Sequence, residues 1–284
     1  PHQVAGIGID GQMAGILGID DDWNALTHYD SWLDTRCEKY INFIKREAED
    51  LVTKTTGCPV TYAHGPKILW WKHERPEVYK RIKKFVLPTT FVIGKLTGLK
   101  ASEAFIDYTH LHFSGFGNVQ TKTWSDDLLK LFDIEKEKMP DIVEPWKIAG
   151  YLTEEAAQSC GLISNIPIVA GCGDQAATSL GAGITQKGLV FDVAGTASVF
   201  SCCVDEFKPD VENKTILYPR SVIPGLYIPL AYINGGGLCI KWFRDQLTGK
   251  SSSISYKELD KEASSISTGS DGIMFLPHFG GRVC

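Results

Sequence analysis

A single carboxylate in a glycine-flanked turn is the residue of this chain best placed to do chemistry. In Ala170-Gly-Cys-Gly-Asp174-Gln175-Ala-Ala-Thr-Ser-Leu-Gly-Ala-Gly183, an apolar run over 166–170 leads through Gly171 and Gly173 into a small-residue segment that opens with Asp174. The run is short and β-branched, which predicts a buried strand, and the glycines let the backbone turn sharply and approach a bound molecule closely. Asp174 and Gln175 then fall in the first turn of a helix. Free amides and the helix dipole there favour the ionised, proton-accepting carboxylate, and the neighbouring amide can donate to and accept from a hydroxyl. The pair suits a polyol. Taken alone, a Gly-Asp turn is better read as a plain helix cap, so the rest of the chain has to decide.

Two further glycine sites could face an anion. The turn Gly195-Thr196-Ala197 joins two predicted strands, and Gly235-Gly-Gly237 opens a predicted helix, so backbone amides at a hairpin tip and at a helix start could meet phosphate. Lys241, one turn into that helix, could supply charge or shield a base; a solvated helix lysine is its plain alternative. A hydroxyl-directed carboxylate with two anion cradles suggests phosphoryl transfer to an alcohol, in which the protein positions reactants while a carboxylate takes the hydroxyl proton. No Gly-x-x-x-x-Gly-Lys-Ser/Thr sequence is present, so the chemistry is not that of a P-loop.

The elements that must carry these residues are read from periodicity. Residues 4–9 and 14–19 read as two strands of a hairpin-like pair around Asp10-Gly-Gln-Met13. An amphipathic helix is predicted over 31–55, with Leu33, Cys37, Tyr40, Ile41, Ile44, Ala48 and Leu51 on one face, ended by Gly57-Cys-Pro59. Helices follow over 67–72, 76–85 and 88–97, the last closed by Gly98. Residues 101–109 read as polar and irregular, 124–132 as helix, 139–145 as linker and 152–160 as helix. A second region after Gly183 reads as strands 188–193 and 198–204 with a small-residue turn, a strand at 227–230, helices over 238–247 and 256–266, and a buried strand over 273–276. A glycine hairpin near the start of each region hints at two related halves.

Composition bounds the function. The 284 residues suffice for one large or two ordinary domains. With 43% hydrophobic and 22% charged residues, a net charge of −5 and no Lys/Arg run, the chain lacks the footprint of a nucleic-acid binder, so a small neutral or anionic metabolite is the expected partner. The eight cysteines form no Cys-x-x-Cys pair and read as reduced thiols of a cytoplasmic protein. No stretch has the length of a membrane span and no signal peptide is evident. Pro1 leads almost at once into an apolar run and the chain stops at Cys284 in a glycine loop, as an excised piece of a longer protein would.

An ordered set of segments resembles the FGGY carbohydrate kinases, specifically xylulokinase and glycerol kinase relatives. It comprises Gly11-Gln-Met13, Ser31-Trp-Leu-Asp-Thr-Arg36, the Lys67–Glu74 stretch with Trp70, Asp107-Tyr-Thr109, Gly173-Asp-Gln-Ala-Ala177, Gly195-Thr196, Gly235-Gly-Gly237 before Ile240-Lys-Trp-Phe-Arg244, and Phe275-Leu-Pro277. The resemblance implies an α/β, actin-like two-domain fold with ribonuclease-H-like cores, incomplete at both ends. It implies residues 1–183 as a sugar-binding domain and 184–284 as the start of a nucleotide-phosphate domain. It further implies ATP and Mg²⁺ in a cleft, transfer of the γ-phosphoryl group to a hydroxyl of a sugar or polyol with a pentulose such as xylulose favoured, and family members that often form homodimers. By the same resemblance Asp174 matches the catalytic base and a metal ligand, and Gln12, Met13, Tyr62, Asp107 and Gln175 match substrate positions. Gly195, Thr196, Gly237 and Lys241 match positions beside the nucleotide. Trp32, Asp34 and Arg36 could touch sugar hydroxyls, or form a helix cap and ion pair.

The departures matter. Ala14 stands where relatives commonly place a His or Glu that bonds a substrate hydroxyl, and His64 and Trp71 depart from the usual pattern of the Lys67 segment. A site built to bond a hydroxyl discriminates strongly, so the substrate cannot be copied from one relative. The family's first Asp-x-Gly-Thr strand turn and its adenosine-binding part are absent from these 284 residues, and the fragment alone is expected to be inactive. A non-catalytic sugar-binding or regulatory homologue is the alternative, with another actin-like ATPase behind it; an Asp-x-Gly-Thr turn encoded upstream of Pro1 separates enzyme from binder.

Overall fold

The computed structural model describes residues 1–195, 198–233, 235–247, 254–276 and 278. Its middle is a set of short strands brought together from far apart in sequence. Pro167–Val169 pairs antiparallel with Ile148–Tyr151 on one side, while on the other Ile7 bridges to Ile168 in parallel. Asp10–Gly11 continues that parallel alignment against Cys172–Gly173, with Gly11 opposite Gly173. Residues 4–19 are therefore not a hairpin. Leu17–Ile19 instead pairs antiparallel with Lys84–Val86, because the chain turns away at Ala14.

The helix Glu38–Thr56 begins seven residues later than its periodicity predicts, since residues 30–36 are folded into an ion-pair cluster. Tyr40, Ile41, Ile44 and Val52 face the core, Leu33 and Leu51 face solvent, and the helix breaks at Ala48. Gly57 ends it with φ +74°, its N–H bonding the Thr53 carbonyl, a conformation a side chain would penalise. Together with His64–Glu74 this helix encloses one core around Ile68, Leu69, Phe85, Phe116 and Leu128. A second core joins Ile93 of the helix Pro88–Thr97 to Phe105, Leu152, Ala157 and Ile168.

Three other segments differ from their sequence reading. The helix expected over 76–85 stops at Tyr79, and the strand Lys84–Val86 takes its end. Phe105–Asp107, read as irregular, is a fully buried strand parallel to Asp141–Val143, read as linker. Buried parallel strands have no polar face, so three residues carry no alternation to detect.

After residue 183, Val190–Ala194, Ser198–Cys202 and Leu230–Ile233 form one antiparallel sheet, followed by the helices Gly236–Leu247 and Tyr256–Ala263. Residues 273–276 are not the expected buried strand: they are exposed coil, Ile273 and Met274 each at 81%. No helix among the described residues is long and apolar enough to cross a membrane.

Candidate active site

Asp174 is the first residue of the helix Asp174–Gly181, with Gly173 as its N-cap. The side chain is exposed at the ends of the parallel strands, and its Oδ1 accepts the Gln175 N–H at 2.8 Å. Surrounding protein desolvates the carboxyl and raises its pKa. The Gln175 amide and the charge of His110 act in the opposite direction, and Asp10 adds to the rise. The helix start therefore does not dominate here, contrary to the expectation from its dipole.

Two glycines make this turn possible. Gly171 has φ +75°, and a Cβ there would lie 1.8 Å from the Ile9 carbonyl oxygen, so the paired strands meet only if residue 171 has no side chain. A Cβ on Gly173 would meet Met13 within 2.6 Å. Met13 is accordingly buried against the turn.

Beside Met13, Gln12 is exposed, and its Oε1 accepts the Tyr29 hydroxyl at 2.9 Å. Tyr29 was not singled out by the sequence. Burial, then the charges of Asp174 and Asp30, push its phenol up to about 12, so it remains an O–H donor at neutral pH. Its ring fills the space over Gly15, where a Cβ would come within 2.2 Å of the hydroxyl oxygen. Ala14 carries φ +61°, unfavourable for an alanine. Its carbonyl is held by the buried Lys67 ammonium at 2.8 Å, which also bonds the Tyr62 carbonyl at 2.5 Å. Tyr62 is thus tied to the Gln12–Ala14 loop through its backbone. Gln175 has a buried Nε2 with no hydrogen-bond partner among the described residues, a donor available to a ligand.

The remaining expected residues lie elsewhere. Asp107 is buried behind the Gly173 turn, one oxygen bonded by the Thr109 amide at 3.0 Å and the other facing His110 Nδ1 at 2.6 Å. Arg36 is bonded to Asp34 and Asp30 and stacks 4.4 Å over Trp70; with Lys67 and Cys37 they line a hollow that includes neither Asp174 nor Gln12. The ion-pair reading of Asp34 and Arg36 therefore describes their contacts. In the second region, Gly195 and Gly237 touch. The Gly237 N–H donates to the Gly195 carbonyl at 2.7 Å, and a Cβ on Gly237 would meet that same oxygen. Thr196 lies outside the described residues. Lys241 forms an i,i+4 ion pair with Asp245 on the helix surface.

Among the described residues, no three His, Cys, Asp or Glu side chains gather as a metal site. Asp10 and Asp174, on adjacent strand ends, offer two carboxylates. That donor set fits Mg²⁺, which commonly takes one or two carboxylates with phosphate and water oxygens.

The N-terminal domain of the FGGY family of carbohydrate kinases matches residues 1–181, well over half of the chain. The chain belongs to this family. Over 282 residues the FGGY chain is 27% identical to the xylulose kinase of Lactococcus lactis subsp. lactis, covering 99% of itself and 54% of that relative. It is 25% identical over 289 residues to the gluconokinase of Bacillus subtilis, covering 99% and 55%. The crystal structure of xylulose kinase from Rhodospirillum rubrum superposes with a TM-score of 0.88 at 26% identity, over 98% of this chain and 56% of that one. The fold is therefore actin-like, and the FGGY chain spans about half the length of the curated relatives it matches.

Proposed function

We propose that the full protein transfers the γ-phosphoryl group of ATP to a hydroxyl of a sugar or polyol, with a pentulose such as xylulose as the favoured acceptor. Residues 1–183 hold the sugar and 184–284 begin the nucleotide-phosphate side. The observation that carries this reading is the exposed Asp174 carboxylate at the start of its helix, with the Tyr29–Gln12 pair coupled to the same turn. Asp174 accepts the proton as the substrate O–H bond breaks and the O–P bond forms; the bond from phosphorus to the β-phosphate oxygen breaks and ADP leaves. Gln175 Nε2 and the amide of Gln12 orient the hydroxyls, and Tyr62 walls the loop that carries Gln12. By the family resemblance, Gly195, Thr196 and Gly237 would serve the nucleotide phosphates, with Lys241 beside the nucleotide. Mg²⁺, held by Asp174 together with Asp10, supplies neutralisation of the phosphate charge when bound.

The raised Asp174 pKa has a kinetic consequence. A base must be ionised to act, so activity falls as pH drops through a value above the ordinary carboxylate range near ~3.9. The deciding experiment replaces Asp174 by Asn in the full-length protein. Sugar-dependent ADP release should drop by about 10²- to 10⁴-fold while calorimetric sugar binding persists. Undiminished turnover would remove Asp174 from the mechanism.

A further inference from the structure

Behind the Asp174 turn runs a chain of hydrogen bonds that the proposed reaction does not use. Thr109 gives its hydroxyl proton to Asp107 Oδ1, the oxygen that also accepts the Thr109 amide at 3.0 Å. A hydroxyl has one proton, so the Thr109 oxygen can turn only a lone pair toward its next neighbour. That neighbour is the Gly173 amide, which donates to Thr109 Oγ1 at 3.0 Å across 64 residues of sequence. Asp107 is held in turn by His110, whose Nδ1 lies 2.6 Å from Oδ2. Both side chains are buried, and His110 Nε2 has no hydrogen-bond partner among the described residues. Among the described residues, Asp107 is the side chain that hydrogen-bonds the ring.

Gly173 is the residue before Asp174 and has no side chain of its own. Met13 fills the space on one side of it, and the Thr109 oxygen holds its peptide. The peptide held is the Cys172–Gly173 unit, one Cα away from the peptide of Asp174, so its rotation is passed on through the Gly173 φ and ψ. We propose that Thr109, Asp107 and His110 are positioning residues for Asp174, the Thr109 hydroxyl locking the Gly173 peptide and the Asp107–His110 pair keeping that hydroxyl in acceptor orientation. The proposal rests on the reading of Asp174 as the base. Its energetic logic is that a displacement near 1 Å at a reacting group costs about 10²-fold in rate, and that such groups hold their geometry only when the residues behind them are themselves fixed.

The test compares Thr109→Val, which keeps the shape and loses the oxygen, with Thr109→Ser, which keeps it, in the full-length protein. Thr109→Val should lower kcat about 10²-fold with the sugar KM changed less than about twofold, and Thr109→Ser should recover most of the loss. His110→Asn, which keeps a donor for Asp107, should fall between them, about tenfold below the parent in kcat. Equal loss of kcat and sugar affinity in both Thr109 variants would mark a structural role and overturn the proposal. If Thr109→Val fails to fold, His110→Asn decides, and an unchanged kcat there overturns it. Amide hydrogen exchange at Gly173 supplies a readout independent of turnover. It should accelerate in Thr109→Val and stay slow in Thr109→Ser; unaltered exchange in Thr109→Val refutes the lock. A parent protein that releases no ADP with any sugar would instead defeat the kinase reading, leaving the Gly173 exchange to judge the lock by itself.

Discussion

Residues 1–183 pair their buried charges within the region: Asp30, 2% exposed, takes the Trp71 indole N–H and the Arg36 guanidinium, and Lys67 is spread over two carbonyls. The region after residue 183 leans outward for the same service. Arg220 donates to the carbonyls of Val119 at 2.5 Å and Gln120 at 2.7 Å, the Tyr218 amide bonds the Gly57 carbonyl at 2.7 Å, and Val222 accepts the Tyr108 hydroxyl. Its own cluster is small, built on Ile184, Phe191, Cys203 and Ile228, while Phe200, Leu238 and Ile240 stand about half exposed. A region that buries less apolar surface keeps its fold by docking on one that buries more. The first region should therefore set the stability of the whole, and the second should depend on it.

Acid is the strongest way to break that comparison. His64 and His112 are buried in the first region, and burial holds His64 well below the usual imidazole range and His112 at about 3. A histidine that cannot protonate when folded but can when unfolded destabilises the fold as pH falls from the unfolded value near ~6.5 toward the folded one. Stability should then drop by roughly 3 kcal/mol for each pH unit over that window, counting both rings. Six of the seven tryptophans lie in residues 1–183, so tryptophan emission follows this region. A flat denaturation midpoint between pH 6.5 and 5 would show that the histidines do not govern it.

Next in size is the seam. Arg220→Met removes the donor to two carbonyls and should cost about 3 kcal/mol. Limited proteolysis should cut residues 184–247 sooner than residues 38–74; simultaneous loss of both would mean that the second region supports the first. Within the first region, Trp71→Phe leaves Asp30 with Arg36 as its remaining hydrogen-bonding side chain. A denaturant titration should register about 2 kcal/mol. At the small end, Lys241→Ala breaks an exposed helical ion pair and should shift stability by about 0.3–0.5 kcal/mol. A shift several times larger would place Lys241 in a contact beyond its pair with Asp245.

The second region also shows where the sequence was readable. The hairpin of Val190–Ala194 and Ser198–Cys202 was legible because its partners are adjacent and its turn is made of small residues. The glycine helix ends at Gly57, Gly98 and Gly161, all with positive φ, were legible for the same local reason. In the first region, the hairpin expected over 4–19 is replaced by pairings that reach residues 84–86 and 167–173. Nothing in residues 4–19 encodes a partner 160 positions away. Tyr29 escaped notice because its link to Gln12 closes only when the Ala14 turn has formed.

By itself the sequence determined the local events: the Gly-Asp174 turn into a helix, the helix stops, the antiparallel hairpin, and through the ordered motifs the resemblance to FGGY kinases. Their signals lie within a few residues of one another, where φ preference and side-chain spacing act directly. Tertiary structure alone decided that Gly173 would be gripped between Met13 and Thr109, that Asp107 would face inward with His110, and that desolvation by surrounding protein would outweigh the helix start at Asp174. Each of these depends on segments distant in sequence meeting at one place, and desolvation exists only once they have met.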